Sequence, residues 1–170
     1  MPSIKGAGSL LVWFLQTDYE TVNTTTADAR PIRVRPGLTL DGDVEEVDGE
    51  LFALTAGGFA SDSYTGLITA SGDFSTNVGY SSWGCIFYAA LGAHSTTADT
   101  PSTGIHTHLY EPASTLPSYT ILKQIGGSFE DTFVGAKVNT LSIASTPGRR
   151  MTLSVGPVSY THLRAHETDT

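Results

Sequence analysis

A chain of 170 residues with 39% hydrophobic and 15% charged residues suits one globular domain with a buried core. A formal charge of −8 argues against nucleic-acid binding through a basic groove, while allowing a negative wall that phosphates pass without sticking. The single Cys85 excludes an internal disulfide, and no apolar run approaches the ~20 residues of a membrane helix.

Eighteen glycines with abundant Thr and Ser point to strands and turns. Ser9 to Gln16, with Trp13 and Phe14, predicts the first strand; Lys5 alone is too weak a basic flank for a signal peptide. Asp18 to Arg30 is a polar loop, and Pro31 to Arg35 alternates apolar with basic residues as an exposed-face strand. Asp41 to Glu50 carries six acidic residues and reads as a solvated hairpin loop or a charged patch facing a neighbouring subunit, with Arg33 and Arg35 as candidate partners. Clustered carboxylates suit calcium, but the spacing lacks the order of an EF-hand loop.

Leu51 to Leu54 predicts a short strand ended by Gly57-Gly58, and Ser63 to Phe74 a longer one closed by Ser71-Gly72-Asp73. Ser81 to Leu91 predicts the helix, with Trp83, Phe87, Ala90 and Leu91 at helical spacing, Ile86 beside them, and Gly92 as the stop. One such helix has to lie against a sheet to be stable. Ala93 to Gly104 is expected to be a loop and Ile105 to Glu111 a strand.

From Leu116 to Ile143 the pattern is a β-meander. Pro117 fits the start of a strand, after which Tyr119, Ile121, Lys123 and Ile125 share one face. Gly126-Gly127 turns the chain, Phe129 to Val134 returns, and Gly135 breaks the run before Lys137 to Ala144. Apolar parity changes between Val138 and Leu141, which predicts a bulge near Asn139. Thr146-Pro147-Gly148 is a turn before a last strand, Arg149 to Val155.

The LPSYTI start, the FVGAKVNTLSI return and the Thr146-Pro147-Gly148 turn resemble the major tail tube proteins of long-tailed bacteriophages. With weaker similarity upstream, the resemblance runs from Ser3 to Val155. It implies a mainly β fold, a β-sandwich or open barrel with one flanking α-helix, reached through the strand around Gly66. It further implies a structural virion subunit rather than an enzyme. Copies would form stacked rings, a conduit through which DNA passes without specific binding, with tape-measure and tail-terminator proteins as further partners and no membrane. Such a protein is made in the bacterial host cytoplasm and ends in the virion tail. The lumen face is expected to draw on the alternating polar positions of the Thr120 and Lys137 strands.

Residues 1–157 then form the tail-tube-like domain. Val158 to Thr170 resembles translated sequencing-adapter read-through, so it is set apart as a non-native tail that replaces a missing C-terminal portion. Without it the charge is −7, eight basic against fifteen acidic residues.

Candidate chemistry is sparse. His106 and His108 fall on the same side of a strand and could hold two zinc positions, but no third ligand is evident beyond a forced His94 or Glu111. Gly79 to Gly84 lacks the spacing of a nucleophile elbow, and Cys85 is most simply a buried small hydrophobe. No catalytic, cofactor or metal residue is assigned. The alternative to a tube subunit is a stand-alone β-sandwich binding module, carbohydrate-binding or adhesin-like.

Overall fold

The computed structural model describes residues 10–19, 21–48, 63–79, 83–99, 104–125, 129–159 and 161–164. The strands in chain order are β1 Leu10–Leu15, β2 Arg30–Arg33, β3 Asp41–Asp48, β4 Ser63–Ser71, β5 Phe74–Asn77, β6 Gly92–Ala98, β7 His106–Pro112, β8 Tyr119–Ile125, β9 Phe129–Ala144, β10 Thr152–Ser159 and β11 Thr161–Arg164. Helix α1 spans Trp83–Leu91. Nine strands join in the order β2-β1-β8-β9-β10-β4-β3, with β11 also beside β9 and β5 beside β10. Strands β6 and β7 form a separate antiparallel ribbon.

The organising strand is β9, 16 residues long. Its first half lies between β8 and β11, and its second half pairs with β10. Two sheets therefore share it: β2, β1, β8 and β11 on one, β10, β5, β4 and β3 on the other. Gly135 marks the change of sheet. Its φ of +67° suits glycine, and a Cβ there would sit 3.0 Å from the Tyr19 ring. The Gly135 N–H donates to Gln16 Oε1 at 3.1 Å, which ties the corner to the end of β1. Thus β9 bends at Gly135 instead of ending there, as the sequence suggested. The bulge expected near Asn139 is present: Thr140 faces Gly156 and Val138 faces Pro157, leaving Asn139 as the extra residue. It brings Val138 into the core and leaves Leu141 partly buried against it.

Between the sheets, Trp13 packs edge-on to Phe74 at 5.9 Å and against Tyr119 at 5.2 Å, with Ile121, Phe133 and Leu153 fully buried around them. The β2 side is sewn to β5 by Arg35 N–H donating to the Ser75 carbonyl at 2.8 Å and Thr76 Oγ1 donating to the Arg33 carbonyl at 2.7 Å. The result is the mainly β, open sandwich with one flanking helix that the resemblance implies.

Several local expectations need correction. Asp41–Asp48 is a strand, because antiparallel pairing with β4 satisfies its backbone and an edge strand tolerates charge. Gly92–Ala98 is a strand too, its Thr and Ser residues paired one for one with β7. Helix α1 buries Ile86 and Ala89, whereas the Trp83–Phe87 flank leans on Tyr110 of β7, so the helix is packed on two sides and shows no single stripe. Phe74–Asn77 is a strand of its own, separated from β4 at Gly72, where a Cβ would come within 2.6 Å of the Leu40 Cα. Strand β10 runs on through Val158 to Ser159. The predicted strand at Leu51 to Leu54, the Gly57-Gly58 and Gly126-Gly127 turns and the first two residues of the predicted helix, Ser81 and Ser82, lie outside the described residues. No described helix is long and apolar enough to cross a membrane.

Candidate assembly surfaces and the histidine ribbon

A strand with one neighbour presents a row of N–H and C=O groups to whatever comes next. Sheet pairing leaves such rows at the two ends of the β10 sheet; β5, which among the described residues also pairs with β10 alone, meets the Arg35 N–H at its Ser75 carbonyl. At one end is β3, paired among the described residues with β4 alone. At the other is the second half of β9, where residues 137–144 pair with β10 and have no β8 partner beyond Ala136. Asn139, Thr140 and Ser142 are exposed along it, and so is Ile143 at 53%. These two rows face outward in opposite senses across one sheet.

The start of β3 is held by a buried cation. Lys123 of β8 donates from Nζ to the Leu40 carbonyl at 2.7 Å, 3.4 Å from Asp131 Oδ2 and 3.8 Å from Asp41 Oδ1. Lys123 and Asp131 are direct cross-strand partners, and Asp131 is 1% exposed. Asp41 is exposed, and its Oδ1 accepts the Gly42 N–H at 3.0 Å while lying 3.8 Å from the lysine. Among the described residues neither Arg33 nor Arg35 forms an ion pair with Asp41 or Asp43, and no group of three or more His, Cys, Asp or Glu is placed to hold a metal.

The expected lumen face is altered at its first residue. Thr120 is completely buried and accepts the Asn23 N–H at 3.1 Å, so the loop after β1 covers it. Lys137 is half-buried with Nζ 5.4 Å from the Tyr19 ring centroid, a cation–π contact. The free polar positions of that strand pair lie further along, at Gln124 and from Asn139 to Ser142.

On the β6–β7 ribbon, register places His94 opposite Tyr110, Thr96 opposite His108 and Ala98 opposite His106. His94 stacks on Tyr110 at 4.7 Å, and its Nε2 lies 3.2 Å from His108 Nδ1. His108 is therefore joined to His94, not to His106, and Glu111, opposite Ala93, belongs to the other face. The histidine pair borders a cavity of about 350 Å³ whose walls include Tyr88, Tyr110, Tyr119 and Cys85. Burial pushes the Cys85 thiol from 9.0 up to about 11, and the same cause raises Tyr119 and Tyr110. A thiol held protonated is a poor nucleophile. Residues 80–82 of the elbow-like segment lie outside the described set.

The phage tail tube protein family matches residues 6–166. No curated protein matches the chain. A chain in the virion of a native gene transfer agent particle is 10% identical with a TM-score of 0.52, over 92% of this chain and 95% of that one. A chain in the anti-feeding prophage baseplate is 9% identical with a TM-score of 0.49, over 99% of each chain. A chain of the SPP1 tail tube is 11% identical with a TM-score of 0.47, over 95% of this chain and 78% of that one. Of these three, the gene transfer agent chain is near enough to show a shared fold. With the family match spanning nearly the whole sequence, the chain belongs to the phage tail tube protein family and is a structural tail subunit.

Proposed function

We propose that copies of this chain join head to tail, the β3 row of one closing the β9 row of the next, into rings that stack as a conduit for genome delivery. The observation that carries this is one sheet begun and ended by unpaired rows within the described residues. Two different rows meeting make a heterologous contact, which closes into a ring when the rotation is right. Strand pairing supplies the contact through main-chain hydrogen bonds, so the activity is geometric and needs no catalytic residue. The chain's charge of −8 suits a wall that repels phosphates. Tape-measure and tail-terminator proteins are the further partners of such a tube.

Light scattering and negative-stain microscopy of the purified chain test the reading. Rings or tubes at micromolar protein are expected. A monomer that persists at every concentration, or one that binds glycans as a monomer, overturns it.

We also propose that residues 158–170 are a non-native tail. Its likeness to adapter read-through supports this, although the family match and β11 extend past residue 157. Resequencing the reading frame from clean DNA decides it, since an unchanged sequence there overturns the proposal.

A further inference from the structure

The β6–β7 ribbon carries a donor set that the proposed β3-to-β9 contact does not involve. Thr96 Oγ1 lies 3.1 Å from His94 Nε2 and 3.0 Å from His108 Nδ1, and the two nitrogens are 3.2 Å apart. Three donor atoms thus form a nearly equilateral triangle on an exposed face. In a tetrahedral zinc site with metal–nitrogen bonds of ~2.0–2.1 Å, neighbouring donors are roughly 3.3 Å apart. We propose that His94 Nε2, His108 Nδ1 and Thr96 Oγ1 bind one divalent transition-metal ion of the zinc class, with water in the remaining position.

Local structure favours the site. Antiparallel register puts all three residues on one face, with Thr96 directly opposite His108 and His94 on the diagonal. The His94 ring is held between Tyr110 at 4.7 Å and Tyr88 at 6.3 Å. The two imidazole planes differ by 20° with centroids 5.4 Å apart, so the rings lie nearly edge to edge with those nitrogens facing. Without metal they share a hydrogen bond. Metal binding requires a modest swing of each ring, for which exposed side chains have room, and the donating ring must carry its proton on its other nitrogen instead. Imidazole donors suit zinc, copper and nickel better than calcium or magnesium.

The consequence is mechanical. A two-stranded ribbon is marginal alone, and here it leans on α1 through the Phe87–Tyr110 and Tyr88–His94 ring contacts. An ion bridging β6 to β7 staples it, because binding to the folded form alone stabilises that form.

Calorimetric titration of the full chain with Zn²⁺ tests the site, with Co²⁺ absorption reporting coordination. One ion per chain is expected, with a rise in Tm. His94→Ala and His108→Ala should each weaken binding by about tenfold or more, Thr96→Val by less, and Thr96→Ser hardly at all. His106→Ala should bind as the parent does. All of these positions are exposed, so metal-free circular dichroism should be unchanged and a binding loss is not a folding loss. Imidazole resonances of the unaltered chain give a second readout, since those of His94 and His108 should shift with Zn²⁺. The proposal fails if the parent shows no saturable binding at millimolar Zn²⁺, or if His94→Ala and His108→Ala bind as tightly as the parent.

Discussion

The sandwich body and the outlying rows of the same molecule are built from different chemistry. In the body, long-range pairing brings Trp13, Phe74 and Phe133 together from distant parts of the chain, and even its charges, Lys123 and Asp131, are buried against each other. In the β6–β7 ribbon and on the free side of β9, the residues are Thr, Ser, His and Asn, exposed and spaced by the strand repeat. Buried packing is thus concentrated in the body, while the row proposed for assembly and the histidine ribbon lie outside it. Substitutions should separate the two properties, and the expected effects on stability can be ranked accordingly.

The largest loss is expected from Lys123→Met. It removes the cation beside a buried carboxylate, and breaking a buried pair from one side costs about 3–5 kcal/mol. For a chain of this size that lowers Tm by roughly 10 °C. The double change Lys123→Met with Asp131→Leu should recover most of the loss, because it replaces both members of the buried pair with apolar side chains. A double variant as unstable as the single one would mean that the carboxylate has a separate role. Circular-dichroism melts distinguish the outcomes.

Gly135→Ala should cost less, about 1–2 kcal/mol, since alanine must take a left-handed φ at the corner of β9. The Tyr19 ring 3.0 Å from the new Cβ has to give way as well. Gly135→Asn should fall between the two, because asparagine tolerates that conformation better. Urea unfolding gives the order directly.

Legibility in the sequence follows the same division. The body could be read because its strands announce themselves: β-branched and aromatic alternation from Tyr119, a proline before it, and a parity change that located the Asn139 bulge. The outlying strands were missed for one reason. Asp41–Asp48 and Gly92–Ala98 are polar, and an edge strand needs only a partner for its backbone, not an apolar face. The helix face was misjudged because α1 is packed on both flanks, which spreads its apolar residues beyond one stripe. Thr120 looked like a free polar position, and only the fold shows the Asn23 loop lying over it. The histidine pair was misassigned by adjacency: His106 and His108 are two residues apart on one strand, while the contact that forms crosses to His94, which the sequence placed in a loop.

On the β9 row proposed for assembly, proline at Leu141 and at Ser142 forms an internally controlled pair. Successive residues of an antiparallel strand send their N–H groups to opposite sides, so one proline removes a bond to β10 and the other removes a donor from the free row. The first should lower Tm with assembly following stability. The second should abolish rings with little change in Tm. Two prolines that lower Tm equally and both leave rings intact would show that this row is not the contact.

The smallest effect is a rate, measured where the two regions meet. Cys85 sits in α1 and lines one cavity together with Tyr119 of the body and Tyr110 of the ribbon. Burial moves its thiol from 9.0 to about 11. At pH 8 the thiolate fraction, and with it the alkylation rate, should therefore be about a hundredfold below that of an ordinary thiol. Between pH 9 and 11 an unfolded chain releases a proton that the folded chain keeps, so this group's contribution to stability falls as pH rises through that window. Iodoacetamide labelling of the native chain should be slow and should accelerate on unfolding in urea. Zn²⁺ should slow it further if the ribbon is stapled over the cavity, whereas a metal effect that survives His108→Ala would place the ion elsewhere. Fast labelling at pH 8 without denaturant would instead mean that the ribbon opens freely from the body, and that the aromatic contacts of Phe87 and Tyr110 do not hold it there.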